Sequence, residues 1–399
     1  MLLFFIFIHF LLSLKVYFSE RIYGLKSIYV IGTIIFIFIP TLYRSLDLMY
    51  VDYSISWYFH FTSFLCTVII MTIKPDYYKI SGLLNIIFKS NIINRIYSTL
   101  ILSFIIMILL SFIGLSYELR FPAVGLFCVV TYFASYLYYN KDNYGYLWLR
   151  FLILSLLLFL FFSFYLWSGY GRVILFQFVS ISFFFYSCII KNPKKLKFIF
   201  LISIPLMIAA GGILRSNTAT ISSAITDGDG TGSVFSTYRE SERVIRDINN
   251  GKINKLYGDS YTAAFLFFVP RSLWHDKPVG FGKQLVDWYE PWLYSTGHSL
   301  AGTFIAEAFA NFGLFAVFFA PILLLVLISI FVKILNSKKN SLNYKDISTG
   351  LITVCYFSLL PEFIWGGAQT YLIRSTVAAF MIFLIFKTFN LLGLFNKYD

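Results

Sequence analysis

Charged residues are scarce in this 399-residue chain: they make up 13% of it, whereas 59% of the residues are hydrophobic and 21% are aromatic. Because soluble domains carry about a quarter charged residues, this composition excludes an ordinary soluble protein and indicates a membrane protein. The net charge of +13 would suggest a nucleic-acid partner in a soluble chain. Here the excess lies in short loops between apolar stretches, as in membrane proteins generally, and we expect no nucleic-acid partner.

Motifs for metal, redox or hydrolytic chemistry are also lacking. The sequence has no Ser-His-Asp order, G-x-S-x-G elbow, H-E-x-x-H pair or Walker loop, so zinc chemistry and nucleotide hydrolysis have no support. The four cysteines lie far apart in apolar stretches, which predicts small buried hydrophobic residues at Cys66, Cys128, Cys188 and Cys355. We expect neither a metal nor a cofactor.

Long apolar runs of about 20 residues predict an all-α polytopic membrane protein. The N-terminal run lacks a basic start and a small-residue cleavage site, so we interpret it as a retained first span. Eleven spans are predicted, at residues 2–18, 27–42, 55–73, 99–116, 122–139, 146–167, 172–190, 198–214, 300–332, 347–364 and 370–392. Spans one to eight form residues 1–214, and spans nine to eleven form residues 300–399.

One long hydrophilic segment, residues 215–299, separates these two groups of spans. Three clusters of basic residues predict its side of the membrane, because positively charged loops stay in the cytoplasm. The clusters are Lys74, Lys79, Lys89 and Arg95; Lys191, Lys194, Lys195 and Lys197; and Lys333, Lys338, Lys339 and Lys345. With these inside, the 215–299 loop lies outside the cytoplasm.

The loop begins with Arg215 and a run rich in serine, threonine and glycine that contains Asp227-Gly-Asp229. A calcium loop starting there would need a glutamate at its twelfth position, where the chain has Tyr238. We therefore predict a mobile glycine-rich hinge and no metal.

A helix is predicted next, from about Tyr238 to Asn249, with a capping box at Thr237 and Glu240 and a terminator at Gly251. On it Arg239, Arg243 and Arg246 fall within an arc of about 60°. Such a row of guanidiniums suits phosphate or pyrophosphate, since each planar fork binds two oxygens. A solvated charged face is the alternative.

Two further segments of the loop carry candidate residues. Residues 259–270 are apolar but too short to cross a membrane, and we expect them to lie on or dip into the outer leaflet. They lead to Arg271, Trp274 and Lys277, which stand between two prolines and predict a rigid binding edge for sugars and phosphates.

At the end of the loop, His298 precedes the predicted ninth span. In that span Ser299, Thr303, Glu307 and Asn311 recur every four residues and form one polar stripe. A carboxylate there is expected to face the bundle interior or a wet cavity and to be functional. Glu362 and Arg374 are further candidates for the cavity, or merely each other's partners.

These features resemble bacterial oligosaccharide repeat-unit polymerases, the family of the O-antigen and capsule polymerases. The resemblance rests on the many spans, the single large loop, the segment from Phe268 to Pro278 with Pro-Arg-x-x-Trp-x-x-Lys-Pro, and the segment from Gly302 to Gly313 with Glu307 and Asn-Phe-Gly. Many family members have Tyr where this chain has Phe309. The resemblance implies a GT-C-like fold in the bacterial inner membrane, with the large loop on the periplasmic side.

It also implies a metal-independent glycosyltransferase that joins undecaprenyl-pyrophosphate-linked repeat units into a surface polysaccharide, together with a possible chain-length regulator as partner. Arg215, Arg239, Arg243, Arg271 and Lys277 are then the candidates for the pyrophosphate, with Trp274 on the glycan. Either Glu307 or His298 would act as the general base. Two alternatives stay open: an O-antigen ligase acting on lipid A–core of lipopolysaccharide, and a flippase or transporter for lipid-linked glycan.

Overall fold

The computed structural model describes residues 2–46, 53–84, 88–166, 172–190, 192–213, 232–296, 298–337 and 344–394. In these residues all regular structure is helical. The α-helices are α1 (Leu2–Ser19), α2 (Leu25–Thr33), α3 (Ile39–Leu46), α4 (Tyr53–Thr72), α5 (Tyr78–Leu84), α6 (Ser90–Leu110), α7 (Arg120–Tyr139), α8 (Lys141–Tyr144), α9 (Leu147–Phe161), α10 (Arg172–Ile189), α11 (Pro193–Ile213), α12 (Gly232–Asn249), α13 (Asp259–Phe265), α14 (Phe281–Tyr289), α15 (Phe304–Phe312), α16 (Ala316–Leu335), α17 (Tyr344–Ser358) and α18 (Leu360–Leu391). Short π-helical turns (Ile34–Phe38, Ser111–Leu115 and Phe162–Leu166) extend α2, α6 and α9, and 3-10 turns occupy Pro291–Thr296 and Gly313–Phe315.

Seven helical stretches in the described part of the chain are long and apolar enough to cross a membrane. They are Leu2–Ser19, Leu25–Leu42, Ser90–Leu115, Arg120–Tyr139, Leu147–Leu166, Phe304–Leu335 and Leu360–Leu391, and two shorter helices, Ser56–Thr72 and Val173–Ile189, are also apolar. Each of the seven overlaps a span predicted from the sequence. The prediction of an all-helical polytopic membrane protein is confirmed at this level, while the count of eleven stays a prediction.

Two of these stretches form the centre of the bundle. Most of Leu25–Leu42 and of Arg120–Tyr139 is buried, whereas less than a third of Leu2–Ser19, Ser90–Leu115 and Leu147–Leu166 is buried. α7 packs against α9, α10 and α18. Because the peripheral helices leave apolar faces uncovered, those faces are suited to contact with lipid.

The last three predicted spans have different boundaries in the structure. The ninth is divided at Gly313, where φ is +59° and the helix breaks between α15 and α16. The tenth ends at Ser358, and α18 begins only two residues later and contains its own break at Gly367. α16 alone has 20 residues, about the length that crosses a bilayer core. α15, which carries Glu307, therefore lies between the loop and α16, the helix that is long enough to cross the membrane core.

The turn between α1 and α2 is held by a buried carboxylate. Glu20 accepts hydrogen bonds from the backbone N–H groups of Lys26 and Ser27 at 3.1 and 3.4 Å. It also accepts one from the Tyr77 hydroxyl at 2.9 Å. Since the first N–H groups of a helix have no partner within the helix, Glu20 stabilises the start of α2.

A buried lysine from α11 completes this arrangement, which we call the Glu20–Lys197 network. The Lys197 ammonium donates to the backbone carbonyls of Tyr17, Glu20 and Ile22. The Tyr17 hydroxyl in turn donates to the Lys197 carbonyl at 2.7 Å. α11 is thereby fixed to the turn that follows α1.

Replacing Lys197 with methionine is expected to destabilise the protein by about 2–4 kcal/mol, because three carbonyl oxygens, two of them in buried contacts, lose their donor. The measurement is the thermal unfolding midpoint of the protein purified in detergent. Lys195→Met is the matched control, since Lys195 lies on the same helix but is exposed. Equal midpoints for the two variants would show that the network contributes nothing to stability.

Candidate functional site

The predicted arginine helix is present but longer than the sequence suggested. α12 begins at Gly232 rather than at Tyr238, so Thr237 lies within it and does not cap it. Its end agrees with the prediction: Gly251 has φ +65° and donates to the carbonyl of Ile248. Arg239 is exposed and Arg243 and Arg246 are partly exposed, whereas the residues between them are buried.

Two buried acidic side chains of α12 form ion pairs with this row of arginines. Arg239 donates through two nitrogens to one oxygen of Glu240, at 3.1 and 3.0 Å, and a nitrogen of Arg243 lies 3.6 Å from the other oxygen. Arg246 donates to Asp247 at 3.3 Å. The side chains of the three arginines are 70%, 41% and 42% exposed, whereas the two acids are 6% and 9% exposed. The guanidiniums are thus oriented by the protein and open to solvent.

Tyr289 of α14 supports the middle of the row. The guanidinium of Arg243 lies 3.8 Å from the centre of its ring, and its hydroxyl donates to Asp247 at 3.3 Å. Burial raises the pKa of Tyr289, and the nearby Asp247 carboxylate raises it further. The hydroxyl therefore stays protonated and keeps its hydrogen bond over the physiological pH range.

α12 is joined to the start of α15 through two buried hydroxyls. The side chain of Ser241 lies 2.9 Å from that of Thr303 and accepts from the Thr303 backbone N–H at 3.0 Å. Thr303 also caps α15 by accepting from the backbone N–H of Ala306. The contact between α12 and α15 consequently lies one helical turn from Glu307.

The predicted polar stripe of α15 binds the loop. Besides Thr303, Asn311 accepts from the backbone N–H of Gly258 at 2.9 Å and donates to the Ser260 hydroxyl at 2.8 Å. Thr303, Glu307 and Asn311 are all fully buried. These three residues face the protein interior, where the loop covers them. Ser299, the fourth residue of the predicted stripe, is exposed and precedes the helix, so the stripe is shorter than predicted.

Glu307 occupies the centre of that contact. One carboxylate oxygen accepts from the Ser260 hydroxyl at 2.9 Å, and the other accepts from the backbone N–H of Ala368 at 2.6 Å. Ala368 follows the break in α18 at Gly367, where φ is +76° and ψ is −171°. A Cβ atom at Gly367 would lie 2.3 Å from the Glu307 carboxylate. Only glycine therefore permits both the backbone conformation and the close approach of the carboxylate.

A second tyrosine lies beside this carboxylate. Tyr261 stacks on Phe312 with a centroid separation of 6.0 Å, and burial raises its pKa, with a further contribution from Glu307. Glu307 and Tyr261 are both buried, so the carboxylate is bonded to Ser260 and Ala368 and is not exposed to solvent.

Arg271 and Lys277 shape the next part of the loop. The Lys277 ammonium donates to the carbonyls of Phe267 and Val269 at 3.0 and 2.9 Å, and Arg271 donates to the Lys277 carbonyl at 2.9 Å. The backbone N–H of Lys277 donates to the Trp274 carbonyl at 3.2 Å. These contacts join Arg271 and Lys277 to the backbone of their own segment, and the Arg271 side chain is exposed.

An apolar rim adjoins Arg271. α13 buries Tyr261, Ala263 and Ala264, but the side chains that follow it are strongly exposed: Phe265, Phe268 and Leu273 are 57%, 69% and 79% exposed. A surface of this kind is suited to the interface between lipid and water.

The other predicted residues lie in separate places. His298 is 46% exposed, with its Nε2 atom 3.8 Å from a Glu290 oxygen. Glu362 and Arg374 form an ion pair of 3.0 Å, with the acid fully buried, so they are each other's partners. Arg215, Asp227 and Asp229 lie outside the described residues.

The roles of several site residues were not predicted from the sequence. Ser260 and Ala368 bind Glu307, while Glu240, Asp247 and Tyr289 position the arginines. The adjacent glycines of α18 were the available signal for the break, because a glycine pair inside an apolar helix favours a kink. Within the described ranges no group of three His, Cys, Asp or Glu side chains is arranged to hold a metal ion.

Comparison with known proteins gives no relative. No protein-family model, curated protein or solved structure matches the chain.

Glu307→Gln is expected to fold with little loss of stability. Its carbonyl oxygen can accept from Ala368 and its amide can donate to the Ser260 oxygen, whereas Glu307→Ala leaves both partners unsatisfied and should cost about 2–5 kcal/mol. Thermal unfolding in detergent measures both variants. A glutamine variant as unstable as the alanine variant would show that the charge itself, and not the hydrogen-bonding shape, holds the loop.

Proposed function

We propose that the protein is a lipid-linked oligosaccharide repeat-unit polymerase, which transfers a growing glycan from one undecaprenyl pyrophosphate to the terminal sugar of another lipid-linked unit. The observation that carries this proposal is the row of Arg239, Arg243 and Arg246, whose guanidiniums are partly exposed and fixed by buried acids. In this reaction the anomeric C–O bond to pyrophosphate breaks, a new glycosidic C–O bond forms, and the acceptor hydroxyl loses its proton.

The arrangement of the arginines suits the leaving group. A departing lipid pyrophosphate gains negative charge, and pre-oriented donors stabilise that charge without reorganising during the reaction. Glu240 and Asp247 offset two of the three positive charges. Their role is therefore to orient the guanidiniums, and they do not increase the positive charge that a pyrophosphate meets. Each guanidinium has five N–H donors, and Arg239 uses only two nitrogens for Glu240.

The apolar rim supports a lipid-bearing substrate. A polyprenyl pyrophosphate presents a charged head directly joined to an apolar chain, and the exposed Arg271 stands within three residues of the exposed Phe268 and Leu273 in the sequence. One surface therefore offers contacts for both parts, which a soluble nucleotide-sugar would not need.

Two residues compete for the role of general base. Glu307 is buried and bonded to Ser260 and Ala368, while His298 is half-exposed near Glu290. An acceptor hydroxyl must come within hydrogen-bonding distance of the base. The accessible His298 is the base in this proposal, and Glu307 fixes the loop that forms the site.

The function is tested by extracting lipid-linked glycans from cells that lack the gene. We expect single repeat units to accumulate on undecaprenyl pyrophosphate, and the long lipid-linked polymer to return when the gene is restored. Long lipid-linked polymer that persists without the gene would contradict the proposal and indicate a ligase. Single units that remain only on the inner leaflet would indicate a flippase.

Arg243→Ala should lower the rate of chain extension by at least about tenfold, because one charge-assisted contact to the pyrophosphate is lost. Arg243→Lys should recover only part of the rate, since lysine keeps the charge but loses the planar fork. The assay uses purified protein in liposomes with lipid-linked repeat units. Lys252→Ala, an exposed change just beyond α12, is the control; a rate equally low in this control would refute a specific role for the row.

Arg271→Ala is expected to abolish polymer while the protein remains at its normal level in the membrane, because a pyrophosphate contact would be lost. Polymer length on gels and immunoblots of the membrane fraction measure the two quantities. His275→Ala serves as the control in the same exposed loop and should leave polymer unchanged. Wild-type polymer length in the Arg271 variant would remove Arg271 from the site.

A further inference from the structure

A row of buried polar side chains runs between α1 and α4, two helices composed mostly of apolar residues. On each helix the spacing of three or four residues places them on one face. All are 1% exposed or less, and together we call them the polar seam: His9, Ser13 and Tyr17 on α1, and Ser56, His60, Ser63 and Thr67 on α4.

Two histidines form the middle of the polar seam. The His60 Nε2 atom lies 3.3 Å from the Thr41 hydroxyl and 3.1 Å from the Tyr238 hydroxyl. The His9 Nε2 atom lies 2.9 Å from the Thr67 hydroxyl. The contact with Thr67 places His9 against the same face of α4 that carries His60. Ionisable groups inside apolar helices are costly to bury and are commonly found along pathways for ions or protons.

Four atoms of the seam have no hydrogen-bond partner among the residues that the structure describes. They are the Nδ1 atoms of His9 and His60 and the hydroxyl oxygens of Ser13 and Ser63. Buried polar atoms are nearly always satisfied by protein or by internal water. These atoms belong to residues that lie between the two ends of the row on α1 and α4, and water molecules bonded to them would make the row continuous.

Both ends of the seam reach charged groups. At one end, the Ser56 hydroxyl donates to the Glu242 carboxylate of α12, one turn from Tyr238. At the other end, Tyr17 contacts Lys197, and the Ser27 hydroxyl donates to the Tyr17 carbonyl at 3.4 Å. The seam thus joins the loop helix to the Glu20–Lys197 network, with its buried carboxylate and lysine.

We propose that the polar seam binds a file of water molecules and conducts protons between α12 and the Glu20–Lys197 network. At each histidine a proton binds one ring nitrogen while the N–H bond at the other nitrogen breaks, and that proton passes to the next water or hydroxyl. No bond to carbon changes, and the proton gradient supplies the driving force. The imidazole is the side chain best suited to this relay. The proposal does not rest on the polymerase function.

The test is proton flux into liposomes of phosphatidylethanolamine and phosphatidylglycerol that contain the full-length protein and a pH-sensitive dye. A potassium gradient with valinomycin sets the membrane potential. We expect acidification faster than in protein-free liposomes, and a rate lowered by about tenfold or more in His60→Gln and in His9→Gln, because an amide cannot exchange its proton between two nitrogens.

Gln177→Leu is the matched control. Gln177 is fully buried on α10, and both polar atoms of its amide also lack a partner in the described part of the chain, but it lies outside the seam. The rate of proton flux in the Gln177→Leu variant should equal that of the wild type. Flux no faster than in protein-free liposomes, wild-type flux in either histidine variant, or an equal loss in the control would each overturn the proposal.

A second measurement needs only the wild-type protein, in case a histidine variant fails to fold. Hydroxyl radicals generated by X-ray pulses in ¹⁸O-water label side chains that contact bound water. We expect labelled oxygen on His9 and His60 and none on Cys128, which is equally buried and more reactive. Histidines labelled no more than Cys128 would show that the seam is dry and would overturn the proposal.

Discussion

The buried Glu307 carboxylate is the contact on which the position of the loop depends. It joins three segments that are distant in the sequence: α13 through Ser260, α15 through its own backbone, and the second part of α18 through Ala368. A carboxylate removed from water is stable only when its oxygens are bonded. The loop therefore has one position in which Ser260 reaches the carboxylate, and that position is specified by hydrogen bonds rather than by apolar packing alone.

The break at Gly367 has a defined place in this arrangement. An uninterrupted α18 would use the N–H of Ala368 within the helix, and it would not be free for Glu307. Since the first N–H groups of a helix carry partial positive charge, the carboxylate both satisfies a donor and stabilises the second part of α18. The same carboxylate thus fixes the loop and the helix break together.

α12 connects the two polar systems of the molecule. Its open face carries the arginines of the proposed pyrophosphate site, while its buried face contacts α15 through Ser241 and the polar seam through Tyr238. A shift of α12 would therefore move the arginines and change the contacts of the polar seam at the same time. The amphipathic character of this helix explains how a strongly charged segment packs on an otherwise apolar bundle.

The sequence alone determined the helical membrane class, the arginine row and the polar stripe of α15, because these follow from composition and from the 3.6-residue period of a helix. It could not determine the partners, since Ser260 and Ala368 meet Glu307 only when separate segments fold together. It did not predict the helix breaks at Gly313 and Gly367, because apolar residues continue across them and hydropathy does not record backbone conformation. Tertiary structure decided which polar groups are satisfied inside the protein, and a buried polar group requires a specific partner that periodicity does not encode.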